Sequence, residues 1–496
     1  MLVVRRVALR SSFALVLAVA AALLFAASPS PAATRIDRLP PKVKPGLARS
    51  RTGGGISASG ISERLVARGA TNMGFCGGDD WEPEIAADRF RHVYVVWAHY
   101  PGDPSCDASE KPRHIYIRVS SDGGRTFGPK HIVPTPPGHP YPKVVDCVVT
   151  VNERGVVYVS FLGYGLKSIL TDVVVAKSTD FGATFTSRKV NGPLCKNCDH
   201  PWTVAHGDNV YVAYAHGKNH YLSRSSDGAR TWKESLILRA QSVAFPEGGV
   251  VDRRGNAWFA WGDCRGACAS PVAAVYRVSR TKAGTSRTKF ARVATGPAGP
   301  PCPFPTSSCG FAYFGPQDDI AIDAAGTLYL VWQDGQNHFK PKSPPIVRLS
   351  RCERRCTRSS NWHRVSRVDD KTRFGCPRAA CYALFPRVEG GEAGRISTIW
   401  MDDRLGDPLN HNNGWNVWYR TSTNGGESWT GPGRRVSQYD PSRPESDPNG
   451  FKFPYGDYMG LDLTPDGRAV MVWGEGVNYI GGPENPGHVI YRSIRT

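Results

Sequence analysis

The sequence lacks most of the features by which common functions announce themselves. Past residue 27 no run approaches the roughly 18 apolar residues of a membrane-spanning helix. Helical periodicity is nearly absent, which argues against bundles and against alternating strand–helix folds. There is no phosphate loop, no dinucleotide fingerprint, no HExxH and no GxSxG, so the usual nucleotide, zinc-protease and serine-hydrolase signatures are missing. Acid is the scarcer charge, with 43 Asp and Glu against 62 Lys and Arg and a formal net charge of +19. The basic residues are scattered, without a dense stripe interleaved with aromatics, so nucleic acid is not the expected partner.

What is present begins with a leader. Arg5, Arg6 and Arg10 precede an apolar run from Phe13 to Ala27, and the small residues "AASPSPAA" follow. This is the pattern of a secretory signal peptide over 1–33, cleaved between Ala27 and Ala33, with an uncleaved anchor as the alternative. Its removal lowers the formal charge from +19 to +16. Residues 34–60, rich in Pro, Gly, Ser and basic residues, read as a flexible leader, and 61–496 as one domain. The expected location is extracellular, and the mature chain is not expected to be an integral membrane protein.

Thirteen cysteines in an exported chain suggest disulfides. Spacing favours Cys195–Cys198, Cys264–Cys268, Cys302–Cys309, Cys352–Cys356 and Cys376–Cys381, then Cys76–Cys106, leaving Cys147 unpaired in a strand-like run. Zinc is the rival for "CKNC", but no second ligand pair stands at zinc-finger distance.

The domain repeats one phrase: two alternating runs joined by an acidic or Gly-rich turn, the second ending on an aromatic and a polar tip. The closing aromatics are Trp97, Phe161, Tyr214, Trp261, Trp332, Trp400 and Trp473, separated by 64, 53, 47, 71, 68 and 73 residues. Each hairpin is followed by a third strand such as "HIYIRVS" or "NVWYRTS", and by a fourth short run. Four antiparallel strands repeated radially describe an all-β propeller. Seven cycles favour seven blades, with six the alternative. The last cycle ends at "HVIYRSIRT" with one strand missing, which "ISERLVARG" at 61–69 supplies, so strands from both termini close the ring.

Four near-copies of one octet follow third strands: "SSDGGRTF" at 120–127, "STDFGATF" at 178–185, "SSDGARTW" at 225–232 and "STNGGESW" at 422–429. Ser and Asp oxygens suit turn amides, Gly a positive φ, and the aromatic a plug between hairpins. The octet resembles the Asp-box, the bacterial neuraminidase repeat of sialidases. Ala229 and Asn424 depart from its pattern, and the fifth cycle has "SRCERRC" in its place. The resemblance implies a sialidase-like propeller of six blades, with the box on the side away from the active site.

Ligands of propellers meet the face built from inter-blade loops. Residues preceding each inner strand are Glu82 and Glu84, Asp146, Asp199 and His200, Glu247, Asp318 and Asp319, Arg387, and Asp457 with Tyr458. Those following each hairpin are His99, Tyr164, His216, Asp263, Asp334, Asp402 with Asp403 and Arg404, and Glu475. A basic chain thus gathers carboxylates about its axis, and glycoside hydrolysis needs two carboxyls held at separate pKa values. "WMDDRLGD" and "WGEGVNY" follow adjacent blades, which makes Asp402, Asp403, Asp457 and Glu475 the catalytic candidates.

Sialidases hold the substrate carboxylate with three arginines and use a Tyr–Glu nucleophile and an Asp acid/base. By that resemblance Tyr458 is a nucleophile and Arg387 and Arg404 are clamps, but the Phe-Arg-Ile-Pro start is replaced by "CGGDDWEPEIAAD". Asp199, His200, Asp318 and Asp319 complete the expected binding residues. The expected function is glycoside hydrolysis of an extracellular glycan or glycoconjugate. The alternatives are a non-catalytic glycan- or protein-binding propeller, and a polysaccharide lyase using His200 or His216 as base. No cofactor is expected, although calcium would suit an acidic funnel. Nothing in the sequence bears on oligomeric state.

Overall fold

A computed structural model describes residues 61–68, 79–100, 114–139, 141–165, 170–240, 243–264, 273–297, 317–334, 346–370, 381–404, 416–437, 458–475 and 488–496. The expected signal peptide and leader lie outside these residues. None of the described helices is long and apolar enough to cross a membrane.

The strands form seven four-stranded antiparallel sheets. Six take consecutive strands, and the seventh is closed by the first strand of the domain, Ile61–Arg68, lying against His488–Arg495. Each inner strand packs on the inner strand of the next sheet, and that of blade 7 returns to blade 1. The chain is a seven-bladed propeller, closed by its two ends. The inner strands, blades 1 to 7, are Asp79–Ala87, Lys143–Val151, Asp199–His206, Val243–Val251, Asp318–Ile322, Ala383–Gly390 and Met459–Leu463.

The closing aromatics hold the blades together. Trp97, Phe161, Tyr214, Trp261, Trp332, Trp400 and Trp473 are all buried. Each removes on the order of 200 Å² from water, several kcal/mol at about 25 cal/mol per Å². Trp97, for example, packs with Val470, Val472 and Tyr491, joining blade 1 to blade 7.

The octets are turns with one hydrogen-bond plan. In the first, the Ser120 hydroxyl accepts from Gly124 N at 2.9 Å, and Asp122 accepts from Thr126 N at 2.8 Å and Thr126 Oγ1 at 2.6 Å. Ser178 and Asp180, and Ser225 and Asp227, repeat it. Asn424 accepts from Ser428 N at 2.9 Å, so the amide oxygen replaces the carboxylate without loss of the bond. The plan demands a left-handed residue: Gly124 has φ +78° and Ala229 φ +69°. Cys352 and Cys356, where the fifth octet is absent, form a disulfide. Cys195 and Cys198, the zinc alternative, also form one, and Cys147 is free and buried. Cys381 is disulfide-bonded, whereas the expected Cys76–Cys106, Cys264–Cys268 and Cys302–Cys309 pairs and Cys376 fall wholly or partly outside the described residues.

Candidate axial site

An inner strand has a neighbour on one side only, so its other edge presents bare N–H and C=O groups to the axis. Carboxylates meet the amides. Glu82 accepts from Asp146 N at 2.8 Å, Asp319 from Val388 N at 2.9 Å, and Asp462 from Ala87 N at 2.6 Å. Each bond runs from one blade to the next: 1 to 2, 5 to 6, 7 to 1. Arg387 serves the carbonyls, donating from Nε to Met459 O at 2.5 Å and from Nη1 to Glu247 O at 2.6 Å. Its guanidinium carbon also lies 5.2 Å from the Trp202 ring centre. One side chain of blade 6 therefore ties blades 7, 4 and 3 together.

The layer around Arg387 is readable from strand register. Glu84, Val148, Trp202, Gly248, Asp319, Arg387 and Gly460 each pair with the residue before a closing aromatic. Two glycines make room for the acids. A Cβ at Gly248 would stand 2.2 Å from Asp319 Oδ1, and one at Gly460 would stand 2.6 Å from Glu84 Oε1. Burial pushes Glu84 up to about 8 and Asp319 up to about 6, with Arg387 pulling both back. Together with Asp462 and Glu389 these groups line an axial cavity of about 190 Å³. Much of the acid at the axis is thus structural.

A second cluster sits at the starts of the inner strands. The Tyr458 hydroxyl is 3.1 Å from the His200 ring nitrogens, and His200 Nδ1 is 3.9 Å from Glu247 Oε1. These residues come from blades 7, 3 and 4. Burial, then Arg387, pushes His200 down to about 3, so its imidazole is neutral at neutral pH. Asp318 is fully buried, and among the described residues neither of its carboxyl oxygens has a hydrogen-bond partner. Burial, with Glu247, Asp319 and Asp263 nearby, raises it well above the carboxylate range. Burial lifts Asp199 to about 6, while a hydrogen bond with Asp146 opposes the rise.

The backbone aims these side chains. Glu82, Asp146, His200 and Phe385 all have φ between +53° and +55°, costly for non-glycine residues. All four fall where pairing with the second strand skips a residue. Three of them precede proline: Glu82-Pro83, His200-Pro201 and Phe385-Pro386. A recurrent X-Pro at the head of the inner strand was the available sequence signal for this bulge. Bulges commonly re-aim side chains beside active sites.

The other candidates lie elsewhere. Asp402 accepts from Trp400 Nε1 at 2.8 Å and from Arg404 Nη2 at 2.6 Å, and Arg404 also donates to Asp370 at 2.8 Å. The Arg404 guanidinium lies 3.8 Å from the Trp418 ring centre, and Asp403 accepts from Tyr382 N at 2.7 Å. Asp402, Asp403 and Arg404 are buried, held by groups of blade 6 and by Asp370, which follows the last strand of blade 5. Asp263 and Asp334 pair with Arg277 and Arg348 on the third strands of their own blades. Glu475 ends the second strand of blade 7, but its side chain, like all of Asp457, is outside the described residues. The pairing of His200 with Tyr458, 258 residues apart, had no sequence signal.

No protein-family model matches the chain, and no curated protein matches it either. Among solved structures it aligns with a protein of unknown function from Dyadobacter fermentans, at 11% identity and TM-score 0.47, over 88% of this chain and 99% of that one. The Hadza microbial sialidase Hz136 aligns at 13% identity and TM-score 0.45, over 87% of this chain and 68% of that one. Trypanosoma rangeli sialidase in complex with sialic acid aligns at 10% identity and TM-score 0.43, over 88% of this chain and 59% of that one. Identities this low transfer no residue role to this chain.

Proposed function

We propose that the chain is an exported glycan-acting enzyme, a glycoside hydrolase on a sialidase-like propeller whose octets are Asp-boxes, with its chemistry at the axial mouth. The observation that carries this reading is the Tyr458 hydroxyl 3.1 Å from a neutral imidazole, His200, whose Nδ1 also lies 3.9 Å from the Glu247 carboxylate. Tyr458 Oη attacks the anomeric carbon and its proton passes to His200, while Glu247 offsets the imidazolium. Asp318, kept protonated by burial and neighbouring carboxyls, gives its proton to the departing glycosidic oxygen. Water then attacks the anomeric carbon, giving its proton to the Asp318 carboxylate, and His200 returns its proton to Tyr458 Oη as the bond to the sugar breaks. The carboxyl pair, expected among Asp402, Asp403, Asp457 and Glu475, moves in this reading to Asp318 and Glu247, because Asp402 is already engaged by Arg404 and Trp400.

The same His200–Tyr458 contact supports a second reading, elimination from a uronic polysaccharide, with the pair as base and acid. Both are tested by turnover of fluorogenic glycosides and uronic polysaccharides by wild type, Tyr458→Phe and Asp318→Asn. The hydrolase reading expects each variant to lose about 100-fold or more in kcat on a glycoside. Unsaturated products would select elimination. Binding without turnover in any arm would make the propeller a non-catalytic binder.

A further inference from the structure

Away from the axis, the outer edges of blades 2 and 3 carry two adjoining cavities of about 570 Å³ and 380 Å³, which share Lys189, Asn191 and Gly192. Four cationic side chains line them, Arg188, Lys189, Lys196 and Arg230, against two carboxylates, Asp172 and Glu234. Both acids are committed inward. Asp172 holds Lys189 Nζ at 2.7 Å and the Tyr141 hydroxyl at 2.7 Å. Glu234 accepts from Leu194 N at 2.7 Å and the Tyr214 hydroxyl at 2.8 Å. Arg188, Lys196 and Arg230 are exposed and, among the described residues, form no ion pair.

The groove also has an aromatic wall. Trp232 is the aromatic of the third octet and lines the larger cavity. Its counterpart in the fourth octet, Trp429, donates from Nε1 to Ser366 Oγ at 3.0 Å, whereas Trp232 Nε1 has no partner among the described residues. Tyr141 lines the smaller cavity, and His139 stacks on it from the rim of the larger one.

We infer that this groove is a second binding site, distinct from the axial mouth, for a linear anionic polysaccharide. Cavities of this size fit a few sugar rings, aromatic faces stack on pyranose C–H groups, and the uncompensated cations meet sulfate or carboxylate groups. Three cations without a carboxylate partner are few for a surface that tracks a phosphodiester chain, which favours a glycan over nucleic acid.

The test uses the full chain and a heparin dodecasaccharide as probe, with Kd measured across salt concentrations by titration calorimetry. The Arg188→Ser/Arg230→Ser double variant is compared with Arg354→Ser/Arg358→Ser, which removes the same charge from an exposed loop of blade 5. The expected result is at least about a tenfold loss in affinity for the groove variant alone, with the salt dependence of log Kd shallower by about two. Tyr458→Phe should bind as wild type does, so failure of the axial reading leaves this site standing. Equal loss in both double variants, loss in Tyr458→Phe, no binding by wild type, or tighter binding of a single-stranded oligonucleotide would each overturn the proposal.

Discussion

Arg387 of blade 6 crosses the axis to Glu247 of blade 4, its Nη1 donating to the Glu247 carbonyl oxygen at 2.6 Å. The same guanidinium binds Met459 O, next to Tyr458, so one cation fixes the backbone beside two members of the axial cluster. Replacing it leaves two inward carbonyls without donors and the buried Asp319 without a counter-charge. Arg387→Met is expected to cost about 3–5 kcal/mol in urea unfolding at pH 7, with Arg387→Lys intermediate. A loss under about 1 kcal/mol would mean the crossing bonds hold nothing together.

Protons should stabilise the ring. Folding raises Glu84 from 4.5 to about 8 and Asp462 from 3.8 to about 7, so the folded state binds more protons than the unfolded chain between those limits. Their contribution is complete in acid and is lost as pH rises through 7 and 8. His200, lowered from 6.5 to about 3, acts in the opposite sense but only below 6.5. Between pH 6.5 and 8 the raised carboxyls, Asp318 and Glu389 included, act in one sense, and stability should fall by about 2 kcal/mol or more. Tm measured against pH checks this, and Glu84→Gln should make the slope shallower without abolishing it.

The octet turns separate backbone from contact effects. Gly124→Ala would put a methyl 1.9 Å from the Tyr491 hydroxyl, in a residue at φ +78°. A loss of about 2 kcal/mol or more is expected. Ala229→Gly, which relieves φ +69° at the equivalent place, should gain up to about 1 kcal/mol. Thermal unfolding of both variants reads the contrast.

The Arg404 cluster predicts stability rather than chemistry. Arg404→Met leaves Asp402 and Asp370 buried without their cation, and about 3–5 kcal/mol should be lost. Because Arg404 is packed among groups of blades 5 and 6, the remaining folded protein should keep the substrate KM of wild type.

The ring was legible in the sequence because period-two runs and closing aromatics report on local strands, and each blade is nearly local in sequence. "ISERLVARG" could be matched to the seventh blade because "HVIYRSIRT" visibly lacked a partner strand. The meaning of the axial acids was less legible. Asp319 reads as a site residue in the sequence, but it accepts, as Asp462 does, from the bare amide of a neighbouring blade, a demand that exists only once the ring closes. Asp402 was singled out for its place after Trp400, and no sequence rule revealed that Arg404 folds back onto it. His200 and Tyr458 are each candidates in the sequence, yet their contact depends on the bulge at His200 and on the closed ring bringing blades 3 and 7 together.

The central claim is that Tyr458 becomes covalently attached to sugar. Wild-type protein incubated with a set of 2-deoxy-2-fluoroglycosyl fluorides, digested and examined by peptide mass spectrometry, should carry one glycosyl adduct on the peptide containing Tyr458, absent in Tyr458→Phe. An adduct on any other residue, or one that survives in Tyr458→Phe, would contradict it.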